Sequence, residues 1–197
     1  GGLSFYQRKE IKDVLAYFRL VVNPNDEEAL KRIINYPRRG IGDSTVNKIA
    51  GVASLHRVSL WTVICNPQIY GLMISNATMS KLNAFKQLIT TFIEHYPTDD
   101  AHTIAIDIVK RSGISADIYI DKQPENIARQ ENVEELLGSI KEFVDSRREE
   151  GQGNEVSLTD FLQEVSLQTD LDSDDSSDNN KVALMTVHSA KGLEFPS

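Results

Sequence analysis

Hydrophobic residues in the first part of the chain repeat at spacings of three and four, the pattern of helices with one buried face. This pattern predicts a first helix from Arg8 to Val22, ended by Pro24. A second helix is predicted to begin near Asp26, where acidic residues favour the positive end of the helix dipole. Pro37 is expected to stop this second helix before a glycine-containing turn.

The same periodicity continues after that turn. Asp43 or Ser44 is expected to cap a third helix, whose apolar residues are Val46, Ile49, Ala50 and Ala53. A longer helix is predicted from Ser80 to Tyr96, and Thr98 is expected to cap the helix that follows. These elements make the central part of the chain helical.

The helical pattern resumes near Glu125 and stays in register for about 20 residues. Ser157 and Asp160 then have the form of an N-cap pair for a short helix through Leu167. We therefore expect residues 1–167 to form one multi-helix domain.

Residues 168–181 differ from everything before them, because they are nearly devoid of apolar side chains and dense in like charge. Such a segment cannot bury enough surface to offset its ordering entropy, so we predict an acidic, flexible linker. The segment 182–187 that follows is typical of a β-strand buried on both faces. The predicted fold class is thus mainly α, with a short C-terminal β-strand stub of a different domain in residues 182–197.

Composition narrows the class of protein without identifying it. The chain has 197 residues, 40% hydrophobic and 25% charged, which are ordinary globular values. A single cysteine, Cys65, excludes an intramolecular disulfide, and the four histidines lie too far apart to suggest a zinc site. No apolar run of 18 residues occurs, so we expect a soluble protein of the reducing cytoplasm. The start at Gly1 is neither a signal peptide nor an initiator methionine, and indicates a piece of a longer chain.

The net charge of −8 would disfavour nucleic acid, but its distribution is uneven. Residues 1–60 hold ten Lys and Arg against six Asp and Glu, whereas residues 149–180 hold ten acidic residues and no Lys or Arg. A basic face in the first third of the chain therefore remains compatible with DNA binding.

The turn between the second and third predicted helices has the form of a helix-hairpin-helix. Two glycines flanking one apolar residue allow close approach of a phosphate, and the next helix's N-terminal amides attract the anion. Such a device contacts phosphate without reading bases, and the alternative is a glycine-rich turn with two solvated arginines. The predicted duplex-contacting residues are Arg38, Arg39, Gly40, Ile41, Gly42 and Thr45.

The residues argue against two other kinds of site. Ser189 and Lys191 lack the partners of an acyl-transfer site, and the pattern Gly-x4-Gly-Lys-Ser/Thr of a phosphate-binding loop is absent from the sequence. Aromatic side chains could stack on bases, but their helical spacing favours core packing, and Trp61 is predicted to be a core anchor or an interdomain contact. These aromatic residues are Phe5, Tyr6, Phe18, Phe85, Phe92 and Phe143.

The string from Thr186 to Pro196 closely resembles motif V of the UvrD/Rep/PcrA group of superfamily-one DNA helicases. Three other segments resemble the same family in the right order. Residues 1–13 are similar to the segment after motif IV, residues 39–43 to the duplex-contacting turn, and residues 131–136 to a family helix. Residues 54–125 match only in helical character.

The resemblance implies part of an ATP-dependent 3′–5′ DNA helicase, with residues 1–167 as its 2B subdomain and the chain's ends as stubs of the RecA-like 2A domain. It implies that Thr186 and His188 face single-stranded DNA and that Glu194 approaches the nucleotide. ATP and Mg²⁺ would be bound by the parent protein, and no bound cofactor or metal and no ATP hydrolysis are expected of the fragment. Expected partners are duplex and single-stranded DNA, the other helicase domains, and repair or replication proteins, on the bacterial nucleoid.

Two hypotheses from other classes stay open at this stage. One is a free-standing helical module that binds DNA without sequence preference or enzymatic activity, and the other is a protein-interaction domain. The motif V string favours the helicase, because an independent module has no use for a strand followed by residues 190–196.

Overall fold

The chain folds into helices throughout the part that the structure, a computed structural model, describes, which is residues 2–171. The prediction of a mainly α fold is confirmed for this range, in which no β-strand occurs. The predicted strand at 182–187 lies outside the described residues. The helices are α1 (Gly2–Tyr6), α2 (Lys9–Val22), α3 (Glu27–Ile33), α4 (Asp43–His56), α5 (Leu60–Cys65), α6 (Asn76–His95), α7 (Ala101–Arg111), α8 (Ile114–Ile118), α9 (Pro124–Glu149) and α10 (residues 158–171).

Helix α2 is the centre of the domain. Nine of its 14 residues are buried, and it packs against α3, α6, α7 and α9. A helix with most of its residues buried can only be stable when other helices cover it on several sides. Tyr17 and Phe18 are among the largest fully buried side chains, so this helix anchors the core.

One charged residue of α2 is also buried, which the hydrophobic pattern did not predict. Asp13 is only 3% exposed. Its carboxylate accepts hydrogen bonds from Lys9 Nζ at 2.7 Å and from Arg32 Nε at 2.8 Å. Because a buried charge is costly unless it is paired, these two cations are what allow Asp13 to lie inside, and Arg32 thereby ties α3 to α2.

Helix α4 lies at the periphery. Only Ile49 and Ala53 of its 14 residues are buried, and its main packing partner is α5. The N-cap is Gly42, so the prediction that Asp43 or Ser44 caps this helix is wrong. The turn before α4 consequently lies at an edge of the domain, where its backbone is exposed.

The starts of α6 and α7 also differ from prediction. Helix α6 begins four residues before Ser80, because the Ser75 side chain accepts a hydrogen bond from Thr78 N. Helix α7 is capped by Asp100, whereas Thr98 donates its hydroxyl to the last turn of α6. In both places a Ser or Asp close to the predicted start forms the cap, and side-chain spacing alone does not choose between such neighbours.

The predicted cap of α10 is confirmed. Ser157 N donates to Asp160 Oδ2 and Asp160 N donates to Ser157 Oγ, both at 3.1 Å. The helix does not end at Leu167 but continues through residue 171, with Gln168 bonded to Glu164 on its surface. Residues 168–171 of the predicted linker are therefore helical, and residues 172–181 lie outside the described part.

Core packing of the aromatic side chains is confirmed. Phe5, Phe18, Phe85 and Phe92 are buried, while Tyr6, Phe143 and Trp61 are half-buried against the same core. Trp61 belongs to α5, a short helix that the periodicity did not predict because six residues are too few to show a repeat.

Within residues 2–171 no helix is both long and apolar enough to cross a membrane. In the same range, no group of three or more His, Cys, Asp or Glu side chains is arranged to hold a metal ion.

Candidate nucleic-acid interface

The turn between α3 and α4 is fixed by the side chain of Asn35. Its Oδ1 accepts hydrogen bonds from Arg39 N at 2.9 Å and from Ile41 N at 3.2 Å. Gly40, between these two amides, has φ of +82°, a conformation in which glycine avoids the steric cost of a side chain. These hydrogen bonds to Asn35 therefore fix the conformation of the turn.

The apolar residue between the two glycines points into the protein. Ile41 is 0% exposed and belongs to the main core. Its side chain therefore cannot touch a ligand, and the predicted contact of Ile41 with a duplex could be made only by its backbone. Its contribution is to anchor the turn, so that the glycines on either side stay at the surface.

The two arginines of the turn lie in opposite directions. The Arg39 guanidinium points inward, where Nη1 donates to Ile33 O at 2.7 Å and Ile34 O at 2.9 Å. It also lies over the Phe85 ring, 5.2 Å from the ring centroid. The prediction that Arg39 adds charge to the exposed face is therefore wrong, because this guanidinium serves the interior. Arg38 is exposed and makes no ion pair among the described residues.

A second cation reaches the turn from α6, 41 positions along the chain from Gly40. The Lys81 side chain lies so close to Gly40 that a Cβ atom built there would be 2.9 Å from Lys81 Nζ. Lys81 is exposed and, within residues 2–171, has no carboxylate partner at ion-pair distance. The surface of the turn therefore carries two cations without a carboxylate partner, Arg38 and Lys81.

The N-terminus of α4 is open beside these cations. Gly42 is its N-cap in an extended conformation, makes no side-chain cap, and has no other atom within 4 Å of its Cβ position. Thr45 lies in the first turn and is half-buried. Backbone amides that no side chain caps, together with the positive end of the helix dipole, favour an anion here, although the exposed Asp43 reduces that attraction.

A cleft of about 590 Å³ adjoins the turn, with Asn35 and Arg38 on its wall. Inside it, Arg129 Nη2 donates to Tyr36 OH at 2.7 Å and to Asp117 Oδ2 at 2.6 Å. Burial raises the pKa of Tyr36 to about 12, against the lowering effect of Arg129. Arg129 and Asp117 are paired with each other, and through Tyr36 they tie the segment before the turn to α8 and α9.

Sequence reasoning missed two residues of this surface. Asn35 gave no signal, because an asparagine near a helix end is common in any turn. Lys81 could not be found, because only tertiary packing brings α6 to the turn. The residues placed together as predicted are Arg38, Gly40, Gly42 and Thr45.

The other predicted site residues, Thr186 and His188 for single-stranded DNA and Glu194 for the nucleotide, lie outside the described residues. Their roles remain predictions.

Known proteins match this chain over its whole length. Residues 1–197 match the family described as the UvrD-like helicase C-terminal domain. The chain is 38% identical to the ATP-dependent DNA helicase PcrA of Staphylococcus aureus, over 196 residues that cover 100% of this chain and 26% of that protein. With PcrA of Staphylococcus epidermidis the identity is 37%, over the same shares of the two chains.

The chain thus spans 26% of the length of these curated relatives. The match includes residues 54–125, in which the sequence alone showed only helical character. The resemblance to the UvrD/Rep/PcrA group is confirmed, and the chain belongs to the UvrD-like helicase C-terminal domain family.

Proposed function

We propose that the chain is part of an ATP-dependent DNA helicase, in which it forms an accessory subdomain that contacts duplex DNA. The support is the family match over all 197 residues and the similarity to proteins named as ATP-dependent DNA helicases. Because the chain covers only 26% of those relatives, most of the motor lies in the remainder of such a protein.

The single observation that carries duplex contact is the combination of free charge and open backbone at the turn. Arg38 and Lys81 lack carboxylate partners within the described residues, and the space beside Gly42 is empty. The uncapped amides of α4 complete a surface suited to the phosphates of one strand. Such contacts position a protein on the duplex without reading its sequence.

Residues outside the described part would complete the function. We propose that Thr186 and His188 face single-stranded DNA and that Glu194 approaches the nucleotide, as the family's motif V implies. The parent would bind ATP with Mg²⁺ and move 3′ to 5′, serving repair or replication on the bacterial nucleoid.

The chain alone should hydrolyse no ATP, because phosphoryl transfer needs a phosphate cradle with its lysine and held magnesium. The sequence contains no Gly-x4-Gly-Lys-Ser/Thr motif that could supply them. A steady-state ATPase assay with single-stranded DNA present should stay at background. Turnover that Glu194→Ala abolishes would show the domain assignment to be wrong.

We also propose that this subdomain swings as a rigid body in the parent and so determines whether the turn reaches the duplex. Because 168–171 belong to α10, the tether would be the acidic residues 172–181. Shortening or proline substitution within 172–180 of the parent should change both unwinding and interdomain fluorescence transfer. No change in either would reject this role.

Duplex contact can be tested directly on this chain. Fluorescence anisotropy with a blunt labelled duplex should give weak binding at low salt, with little sequence preference. Arg38→Gln and Lys81→Gln should each weaken binding, because each removes one cation at the turn. Arg148→Gln is the matched control, since Arg148 is bonded to Asp100. Equal affinities for all four proteins would contradict the proposal.

A further inference from the structure

Arg39 differs from Arg38, the other arginine of the turn, because protein groups compensate its charge. Its five hydrogen-bond acceptors within the described residues are the carbonyls of Ile33, Ile34, Tyr36 and Ser112 and the hydroxyl of Tyr17, and none is a carboxylate. The carbonyls of Ile33 and Ile34 lie at the carboxyl end of α3, and Ser112 is the C-cap of α7. Two negative helix ends therefore converge on one guanidinium, which compensates its charge without an acid.

The same residue is held through its backbone. Arg39 N donates to Asn35 Oδ1, and the next amide but one, Ile41 N, donates to the same oxygen. With the side chain fixed inward and the amide fixed by Asn35, the backbone on either side has little freedom. Gly40 is left in its positive-φ conformation between them, and Arg38 is left at the surface.

We propose that Arg39 and Asn35 are positioning residues for duplex contact: they fix the turn so that Arg38, Gly42 and the start of α4 face the DNA, and do not touch it themselves. This inference rests on the proposed function, because it assigns their purpose to the same surface. It reverses the role that the sequence predicted for Arg39.

Lysine separates a positioning role from a charge role. A guanidinium has five donors in a planar fork and can serve several carbonyls at once, whereas an ammonium is a single point of charge. If Arg39 met a phosphate, Arg39→Lys would keep most of the affinity. If Arg39 positions the turn, Arg39→Lys should behave like a loss, although the net charge is unchanged.

The test uses the isotopically labelled 197-residue chain and its Arg39→Lys, Asn35→Ala and Arg38→Gln variants, with a blunt duplex as the probe. Arg39→Lys should lower duplex affinity about tenfold, in line with the loss of charged hydrogen bonds. The slope of log affinity against log salt, expected at about −2 to −3, should stay unchanged, because the bound variant makes the same phosphate contacts and loses affinity through the cost of ordering the turn. Arg38→Gln should instead make that slope shallower by about 0.9.

Amide resonances provide a readout that general loss of stability would not produce. Without DNA, Arg39→Lys and Asn35→Ala should both shift the amides of residues 39–42 while leaving those of α9 in place. Asn35→Ala keeps the test available if Arg39→Lys does not fold, and it should also weaken DNA binding with an unchanged salt slope.

Three results would overturn the inference. These are full affinity in Arg39→Lys, a shallower salt slope in either positioning variant, and turn amides that do not shift. If the unsubstituted chain bound no duplex, the proposed function would fail on its own, and the amide shifts would still decide whether these residues set the turn.

Discussion

Two pairs of consecutive arginines lie in different regions of the domain, and they differ in whether carboxylates pair with them. At the end of α9, Arg147 lies 3.4 Å from Glu164 and Arg148 lies 3.1 Å from Asp100, so both charges are matched by carboxylates. At the turn before α4, neither Arg38 nor Arg39 meets a carboxylate within the described residues. Of these four arginines, only Arg38 is exposed without a partner in residues 2–171 that compensates its charge.

The difference teaches that a basic dipeptide does not by itself predict a binding surface. The acids that neutralise the α9 pair come from α10 and from the cap of α7, which are distant in sequence. Carbonyls satisfy Arg39, and they neutralise less charge than a carboxylate would. Charge available to DNA is thus decided by tertiary neighbours.

The largest expected effect separates the two arginines of the turn. Arg39→Ala should lower the free energy of unfolding by about 2–3 kcal/mol, because several buried carbonyls and Tyr17 lose a charged donor. Arg38→Ala should change it by less than about 0.5 kcal/mol, since that side chain is exposed. Urea unfolding of both variants measures the contrast, and equal losses would mean that the inward contacts of Arg39 contribute nothing.

The next largest difference in stability is expected between alanine substitutions of the two glycines of the turn. Gly40→Ala should cost about 1–2 kcal/mol, because φ is +82° there, while the exposed Lys81 side chain can move away from the new Cβ. Gly42→Ala should be nearly neutral in thermal unfolding, since φ is −83° and the space is open.

Bulk at Gly42 should act on binding instead. Gly42→Val is expected to weaken duplex affinity by obstructing the phosphate, while Trp61→Phe, which changes a half-buried core residue, should leave it unaltered. A Gly42→Val protein with full affinity would remove Gly42 from the interface.

Breaking the ion pair between Arg148 and Asp100 should have a smaller effect on stability. Arg148→Gln should cost less than about 1 kcal/mol, because the Arg148 side chain is half exposed in its pair with Asp100. Duplex affinity should not change, since this charge is already matched. A clear loss of affinity in this variant would place DNA at the wrong end of the domain.

The smallest expected effect is a pH dependence of stability that arises at Asp100, the partner of Arg148. Although burial raises it, hydrogen bonds from Thr103 and Arg148 lower the pKa of Asp100 below its ordinary value of 3.8. A carboxyl whose pKa is lower in the folded state stabilises the fold at pH values above its unfolded-state pKa. This contribution is lost as the pH falls below 3.8 toward the folded-state pKa.

Acid unfolding of the Asp100→Asn variant measures this contribution, since asparagine can still cap α7. The difference in unfolding free energy between the unsubstituted chain and this variant should shrink as pH falls below about 4. Asp99→Asn is the control, because the Asp99 side chain makes no hydrogen bond in the described part of the chain. A difference that does not change with pH would remove the role of Asp100 as a paired carboxylate.

The fold was largely predictable, because long amphipathic helices such as α2 and α9 carry their own repeat. Short helices such as α5 and α8 show too few residues for a period, and helix starts depend on which of several polar neighbours makes the cap. The position of the turn could also be predicted, since glycines, a proline and an isoleucine mark it locally.

The composition of the candidate site could not be predicted in full. Whether Arg38 or Arg39 faces outward depends on carbonyls of α3 and α7 and on Phe85, which are brought together only by packing. The same is true of Lys81, whose approach to Gly40 depends on how α6 packs against α2. Local sequence defines a turn, whereas its electrostatics are a property of the assembled domain.

We propose that duplex DNA contacts the turn before α4 and not the end of α9. Titration of the isotopically labelled chain with a blunt duplex at low salt tests it most directly, because each backbone amide reports separately. We expect perturbation of the amides of Arg38, Gly40, Gly42 and Thr45, with residues 145–150 unchanged. Perturbation confined to residues 145–150, or absent from the turn at saturating duplex, would contradict it.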